Sequence, residues 1–269
     1  MNIKNQAGSS ATTTMKKKIR RTEHSNIAFK CNYCDGGKSS SSIGFNGICS
    51  DKIIHYNIEV VKREWCSFED SPCFNYLHGK LSRDELEADF DAGGYVCYEN
   101  QMLRDWKAMA GVIHSGERKG QPVRLRNARS NSLCVLTTLE PNEPNSSEAD
   151  RIIFAVFLID ETYEGGDHIE GSVSTQSKFK LSLSQTEAQK MRFWRYYANK
   201  NIPEKAAWGS GLYRYLTDIQ ALQILRDIAI IKRNTKDEAL ATEFLTTFSK
   251  IVEIEVKDVG SFNGALTKT

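Results

Sequence analysis

The chain has 269 residues, 40% of them hydrophobic and 26% charged. That suits one large folded unit, or two modest ones, with a real apolar core, and it excludes a fibrous or wholly disordered protein. With 36 lysines and arginines against 34 acidic residues the formal charge is only +2, so bulk electrostatics dictate no polyanionic partner and any nucleic-acid surface must come from local clustering.

No run approaches the ~18 apolar residues that a membrane-spanning helix needs. Ser9 to Thr14 is polar where a secretory signal would be apolar. A cytoplasmic location with no membrane partner is therefore expected. In that compartment the seven cysteines read as thiols or metal ligands rather than as a disulfide framework.

In chain order, residues 1–26 are polar and low in complexity and end in a basic block, Lys16-Lys17-Lys18-Ile19-Arg20-Arg21. They read as a disordered basic tail. Residues 27–80 form a cysteine-rich module. It opens on Cys31-Asn32-Tyr33-Cys34-Asp35-Gly36-Gly37, continues through the polar loop Lys38–Ser42, and holds an apolar stretch, Ile53–Lys62, that suits a strand or a short helix. Residues 81–120 read as a helical connector. Ser82 and Glu85 make a capping box for a helix ending near Gly93-Gly94, and a second helix over Glu99–Ala110 stops at Gly111.

Residues 121–252 combine a β-rich centre with helices. Pro122–Arg126 alternates apolar and basic residues, Ser132–Thr138 is β-branched and apolar, and Arg151–Asp160 is apolar enough for a strand buried on both faces. Gly171–Leu183 alternates again. Ser184 and Glu187 cap a helix expected to run to about Asn199, another begins at Thr217 or Asp218, and a third covers Lys236–Ile251. Residues 253–269 read as a strand-like end and a loose tail. The fold class expected is α+β: a small zinc-stapled N-terminal module, a central antiparallel barrel-like sheet, and C-terminal helices.

The Cys-x-x-Cys turn at Cys31 and Cys34 is half of a tetrahedral zinc site. The other half falls to Cys66 and Cys73, where Pro72 stiffens the loop, with Cys49 and His78 as competitors. Four protein ligands leave no open position for water, so the zinc would be structural. Cys97 and Cys134 lie in apolar stretches and read as core residues.

Aromatics and arginines crowd a second segment, Phe193-Trp194-Arg195-Tyr196-Tyr197 followed by Trp208 to Tyr215. That mixture suits base stacking with phosphate contact. Trp194, Tyr197, Trp208, Tyr213 and Arg214 are the candidates there, joined by a stripe of Arg124, Arg126 and Arg129 on the first strand and its turn. Core packing is the competing reading of the tryptophans.

The strand sequence Gln121–Arg126, Leu133–Thr138 and Arg151–Ile159 resembles that of PUA-like barrels, the superfamily that includes the EVE and YTH groups. The resemblance spans residues 121–216. It implies a closed barrel, nucleic acid as the ligand class and, as in several members, an aromatic cage around a modified base.

Catalytic motifs are sparse. Glu253-Ile254-Glu255-Val256-Lys257 contains the Glu-x-Lys of metal-dependent nucleases, but Asp237 stands before it across an expected helix. Asp160-Glu161, Glu164 and Asp167-His168 form an acidic loop, and His168-Ile169-Glu170 lacks the Pro-Cys-x-x-Cys of a deaminase. The expected function is nucleic-acid recognition without catalysis, with modified-base sensing in a defence or restriction setting as its sharpest form. The alternatives are a metal-dependent nuclease or other nucleic-acid-processing enzyme, and a zinc-stabilised protein-interaction module.

Overall fold

The computed structural model describes residues 26–37, 44–141, 147–209 and 211–267. The basic tail and the serine loop at Lys38–Ser42 lie outside them. The architecture is mixed α/β. A five-stranded sheet has the order β7-β4-β3-β1-β8 and a three-stranded sheet the order β2-β6-β5.

The large sheet is built on β3 (Leu133–Thr138) and β4 (Ile152–Leu158), whose residues are all buried. They pair antiparallel, with a bulge between Leu136 and Thr137. Both runs are apolar and β-branched throughout, as a strand covered on two faces requires. β7 (Lys180–Ser182) extends the sheet beyond β4.

The cysteine-bearing segment does not stand apart from this sheet. Its first strand, β1 (Asn26–Lys30), lies parallel to β3 and antiparallel to β8 (Tyr213–Leu216). Buried Asn26 pins the junction, accepting from Leu133 N at 2.8 Å and donating to Asp218 Oδ1 at 2.7 Å.

The sheet is open rather than closed. β7 and β8 are its two edges, which corrects the expected barrel. Gln121–Arg126 is the reason: in place of a strand it contributes a single bridge, Val112 to Pro122, and proline has no N–H to extend a ladder. Gly171–Leu183 divides into β6 (Ser172–Ser174) and β7. β6 joins β2 (Lys107–Met109) and β5 (Glu161–Tyr163) in the small antiparallel sheet.

Short helices precede the small sheet. Ile53–Lys62 is mostly helical: α1 (Asp51–His55), capped by Ser50, runs into a wider turn over Tyr56–Val60. α2 (Pro72–Leu77) carries proline at its start and Ser71 as its cap. α3 (Arg83–Asp91) has the Ser82–Glu85 capping box in full. α4 (Tyr98–Asp105) ends five residues sooner than expected, because Trp106 takes a left-handed conformation (φ 46°) and the chain turns directly into β2.

α5 (Gln185–Ala188) is also shorter than expected. Ile153 N donates to Met191 O and Phe193 N to Arg151 O, so the chain is captured beside β4 before the helix can propagate. α6 (Asp218–Ile231) opens on a Thr217–Gln220 capping box and buries Ala221, Leu222, Ile224, Leu225 and Ile228. α7 (Glu238–Val252) buries Ala241, Phe244 and Phe248, with Phe244 packed on Phe179 at 5.2 Å between centroids. These are the expected C-terminal helices.

The end of the described chain is neither a strand nor a loose tail. Glu253 is left-handed, Val256–Asp258 is a 3-10 turn, and Gly264 N and Ala265 N donate to the carbonyls of Arg195 and Tyr197. Phe262 sits beneath the guanidinium of Arg195, 4.6 Å from its ring centre. Among the described residues no helix is long and apolar enough to cross a membrane.

Candidate functional site

The thiols do not gather as the Cys-x-x-Cys spacing predicts. β1 ends at Lys30, and Cys31 directs its sulfur toward Met102 Sδ at 3.6 Å. Burial pushes its pKa up, and burial, with a smaller contribution from Cys31, raises that of Cys134. Cys34 lies elsewhere, with its sulfur 3.3 Å from that of Cys49. The Cys31 sulfur thus faces Met102 while that of Cys34 meets Cys49, so the two do not face each other as a pair. His78 is exposed, stacks on Phe74, and bonds Phe74 O through Nδ1. Cys66 and Cys73 are half-buried, with thiols raised by burial to about 11 and about 12. Among the described residues no group of three or more Cys, His, Asp or Glu side chains is placed so that it could hold a metal ion.

Two predicted stacking residues lie in the core. Trp194 is 0% exposed and Trp208 is 2% exposed. Trp208 donates its indole N–H to Gly211 O at 3.0 Å, and the two rings meet edge to face. Neither has a face to offer a base, which corrects that role. Tyr197 is half-buried and stacked on Phe193.

The arginine stripe divides. Arg124 pairs with Asp167 at 2.7 Å and Arg126 approaches Glu164 at 3.9 Å, so the acidic loop answers both charges. Arg129 donates to the carbonyls of Arg126 and Ala128. Tyr213 and Tyr215 join this surface, Tyr213 donating to Arg124 O at 3.0 Å and Tyr215 accepting from Asn127 N at 3.2 Å. Asp160 serves the fold, with Oδ2 accepting from Gln176 N, Ser177 N and Thr175 Oγ1.

A different basic group forms on the opposite face of the sheet's edge. The register pairs Ala28 with Arg214 and Phe29 with Tyr213. Alternation therefore puts Lys30 and Arg214 on one face and Phe29 and Tyr213 on the other. Arg151, which leads into β4, joins them. Its guanidinium lies 5.2 Å from the Trp208 ring and that of Arg214 lies 5.5 Å away. Arg151 is 2% exposed and bonds Glu148 through Nε and Nη2. Its Nη1 has no partner among the described residues. Burial lowers the pKa of half-buried Lys30, and Arg151, Arg214 and Arg63 lower it further, against Glu148.

Sequence reasoning missed Lys30 and Arg151. The available signal was a cation directly attached to each of two buried strands, where charge is unusual.

No family model matches the chain, no curated protein matches it, and no solved structure matches it.

Proposed function

We propose that this protein recognises nucleic acid through its phosphate, held where Lys30, Arg151 and Arg214 meet at the edge of the large sheet. One observation carries the reading: a buried arginine with an unpartnered N–H lies beside two half-buried cations, opposed by Glu148. Desolvated cations held this close repel one another, and a multivalent anion offsets that cost. Half-buried Tyr197 lies near enough to Arg214 to influence its charge and offers a partial aromatic surface beside it. Burial of Trp194 and Trp208 leaves the modified-base cage without its two largest walls, so the proposal rests on phosphate contact.

Fluorescence anisotropy with single-stranded DNA and RNA oligonucleotides tests it. Binding should weaken with salt, and Arg214→Ala should lower affinity roughly tenfold and reduce the salt slope by about one. Arg126→Ala, on the opposite face, should change both much less. Absence of binding to either polymer, or equal losses in the two variants, would refute the assignment.

A further inference from the structure

We propose that Cys34 and Cys49 are a redox-active thiol pair, closed to a disulfide by a hydroperoxide and reopened by a thiol reductant. The site is independent of the phosphate-binding reading above.

The contact is direct. The two residues lie fifteen positions apart in the chain, and their sulfurs stand 3.3 Å from each other. A disulfide needs about 2.05 Å between sulfurs, so bond formation calls for a closure of only about 1 Å. Cys31, by contrast, faces the thioether of Met102, which cannot complete a disulfide.

Main-chain packing brings the pair together. The turn Cys34-Asp35-Gly36-Gly37 lies backbone to backbone against the segment from Gly44 to Cys49. A β-carbon on Gly44 would stand 2.0 Å from Cys34 O, and one on Gly47 would stand 2.7 Å from Gly36 O. Asp35 fastens the two segments. Its Oδ1 accepts from Gly37 N at 3.2 Å and Ser50 N at 2.8 Å, and its Oδ2 accepts from Ser50 Oγ at 2.5 Å. Arg83 donates to Cys49 O at 2.7 Å, and Gly47 N donates to Asn100 O at 2.8 Å. Sulfurs held this way meet without a search, which raises the effective concentration of one at the other.

Exposure and hydrogen bonding set the order of events. The Cys49 thiol donates to the Cys34 sulfur, and the Cys34 thiol donates to Gly47 O at 3.6 Å. Cys34 is 0% exposed and Cys49 7%, so a small oxidant meets Cys49 first. With hydrogen peroxide, the Cys49 sulfur attacks one oxygen, the O–O bond breaks, and Cys49 becomes a sulfenic acid. The other oxygen leaves as water with the Cys49 proton. The Cys34 sulfur then attacks that of Cys49. The S–S bond forms, the S–O bond breaks, and the hydroxyl leaves as water with the Cys34 proton. Two electrons pass from the sulfurs to one peroxide. The hydrogen bond to Cys34, then burial, keep the Cys49 thiol protonated at neutral pH, so the first step is slow and answers to sustained rather than trace peroxide.

The experiment treats the full, reduced chain with hydrogen peroxide, unfolds it in iodoacetamide to block the remaining thiols, and maps linkages by peptide mass spectrometry. The seven alkylatable thiols should fall by two, with Cys34 linked to Cys49, and dithiothreitol should restore all seven. The oxidised chain should melt at a higher temperature than the reduced one, since a link across fifteen positions restricts the unfolded chain. In Cys34→Ser, Cys49 should be trapped by dimedone as the sulfenic acid, whereas Cys31→Ser should form the link as the wild type does. If Cys34→Ser fails to fold, linkage mapping of the wild type decides the matter without it. A dominant link between Cys66 and Cys73, links between chains, Cys49 oxidised beyond the sulfenic stage with no link, or seven free thiols after prolonged peroxide would overturn the assignment.

Discussion

The sheet with its C-terminal helices and the cysteine-bearing front reach order by different means. In β3 and β4 every residue is buried, and Phe154, Phe157, Phe244 and Phe248 are fully enclosed. From α1 to α4 the helices are short, α1 to α3 each begin at a serine cap, and thiols lie in the turns before and between them and at the start of α2. Trp65, Phe68 and Tyr95 remain about half exposed there. Burial of apolar surface holds the first region. Local hydrogen bonds and chain geometry carry more of the second, so the two should respond to different perturbations.

The largest effect should come from the body. Phe154→Ala removes a ring stacked 3.8 Å from Phe45 and should cost about 3–5 kcal/mol in denaturant unfolding. A loss below about 1 kcal/mol would erase the contrast between the regions. Lys232→Ala comes next. Lys232 is 4% exposed and bridges Glu187 at 2.8 Å and Asp237 at 3.2 Å. Leaving those carboxylates unanswered should cost about 3 kcal/mol by the same measurement. In the front, Ser82→Ala removes the hydroxyl that accepts from Glu85 N, leaving the Glu85 carboxylate on the backbone N–H of residue 82, and should cost about 1 kcal/mol, read as a lowered melting temperature.

A smaller effect of opposite sign is expected at Lys30. Its folded pKa is depressed, by burial first, so the cost of holding it charged is fully present below that folded value. The cost fades as pH rises toward the ordinary lysine value of about 10.4. Lys30→Met should stabilise the protein at neutral pH by less than about 1 kcal/mol, since water still reaches the ammonium. The gain should vanish at higher pH, while oligonucleotide affinity falls at neutral pH. Chemical denaturation across that range checks it; a pH-independent gain would mean that packing, and not charge, is responsible. Arg124→Ala, an exposed pair with Asp167, should change stability by no more than about 0.5 kcal/mol.

The same division governed what could be read from the chain. β3, β4, α3, α6 and α7 announce themselves through continuous apolar runs, helical spacing or capping boxes. α4 and α5 are overestimated because a left-handed Trp106 and the capture of Met191 and Phe193 beside β4 are tertiary events that local propensity does not encode. The parallel docking of β1 is equally hidden, since five apolar-leaning residues name no partner. Cys31 and Cys34 look paired in one dimension, but Cys31 turns to Met102 and a glycine turn from further along brings Cys49 to Cys34 instead. Aromatic density correctly marked a special segment, yet composition cannot distinguish an exposed ring from Trp194 at the centre of a cluster.

The position of β1 between β3 and β8 has a consequence for folding. Asn26 closes its bonds across 107 residues to Leu133 and 192 residues to Asp218. The segment cannot pair with β3 until the chain has been made through residue 137, or with β8 until residue 216. Contacts so distant in sequence slow folding and prolong exposure of a bare strand edge. The sheet is therefore completed late, when β8 closes on the free side of β1.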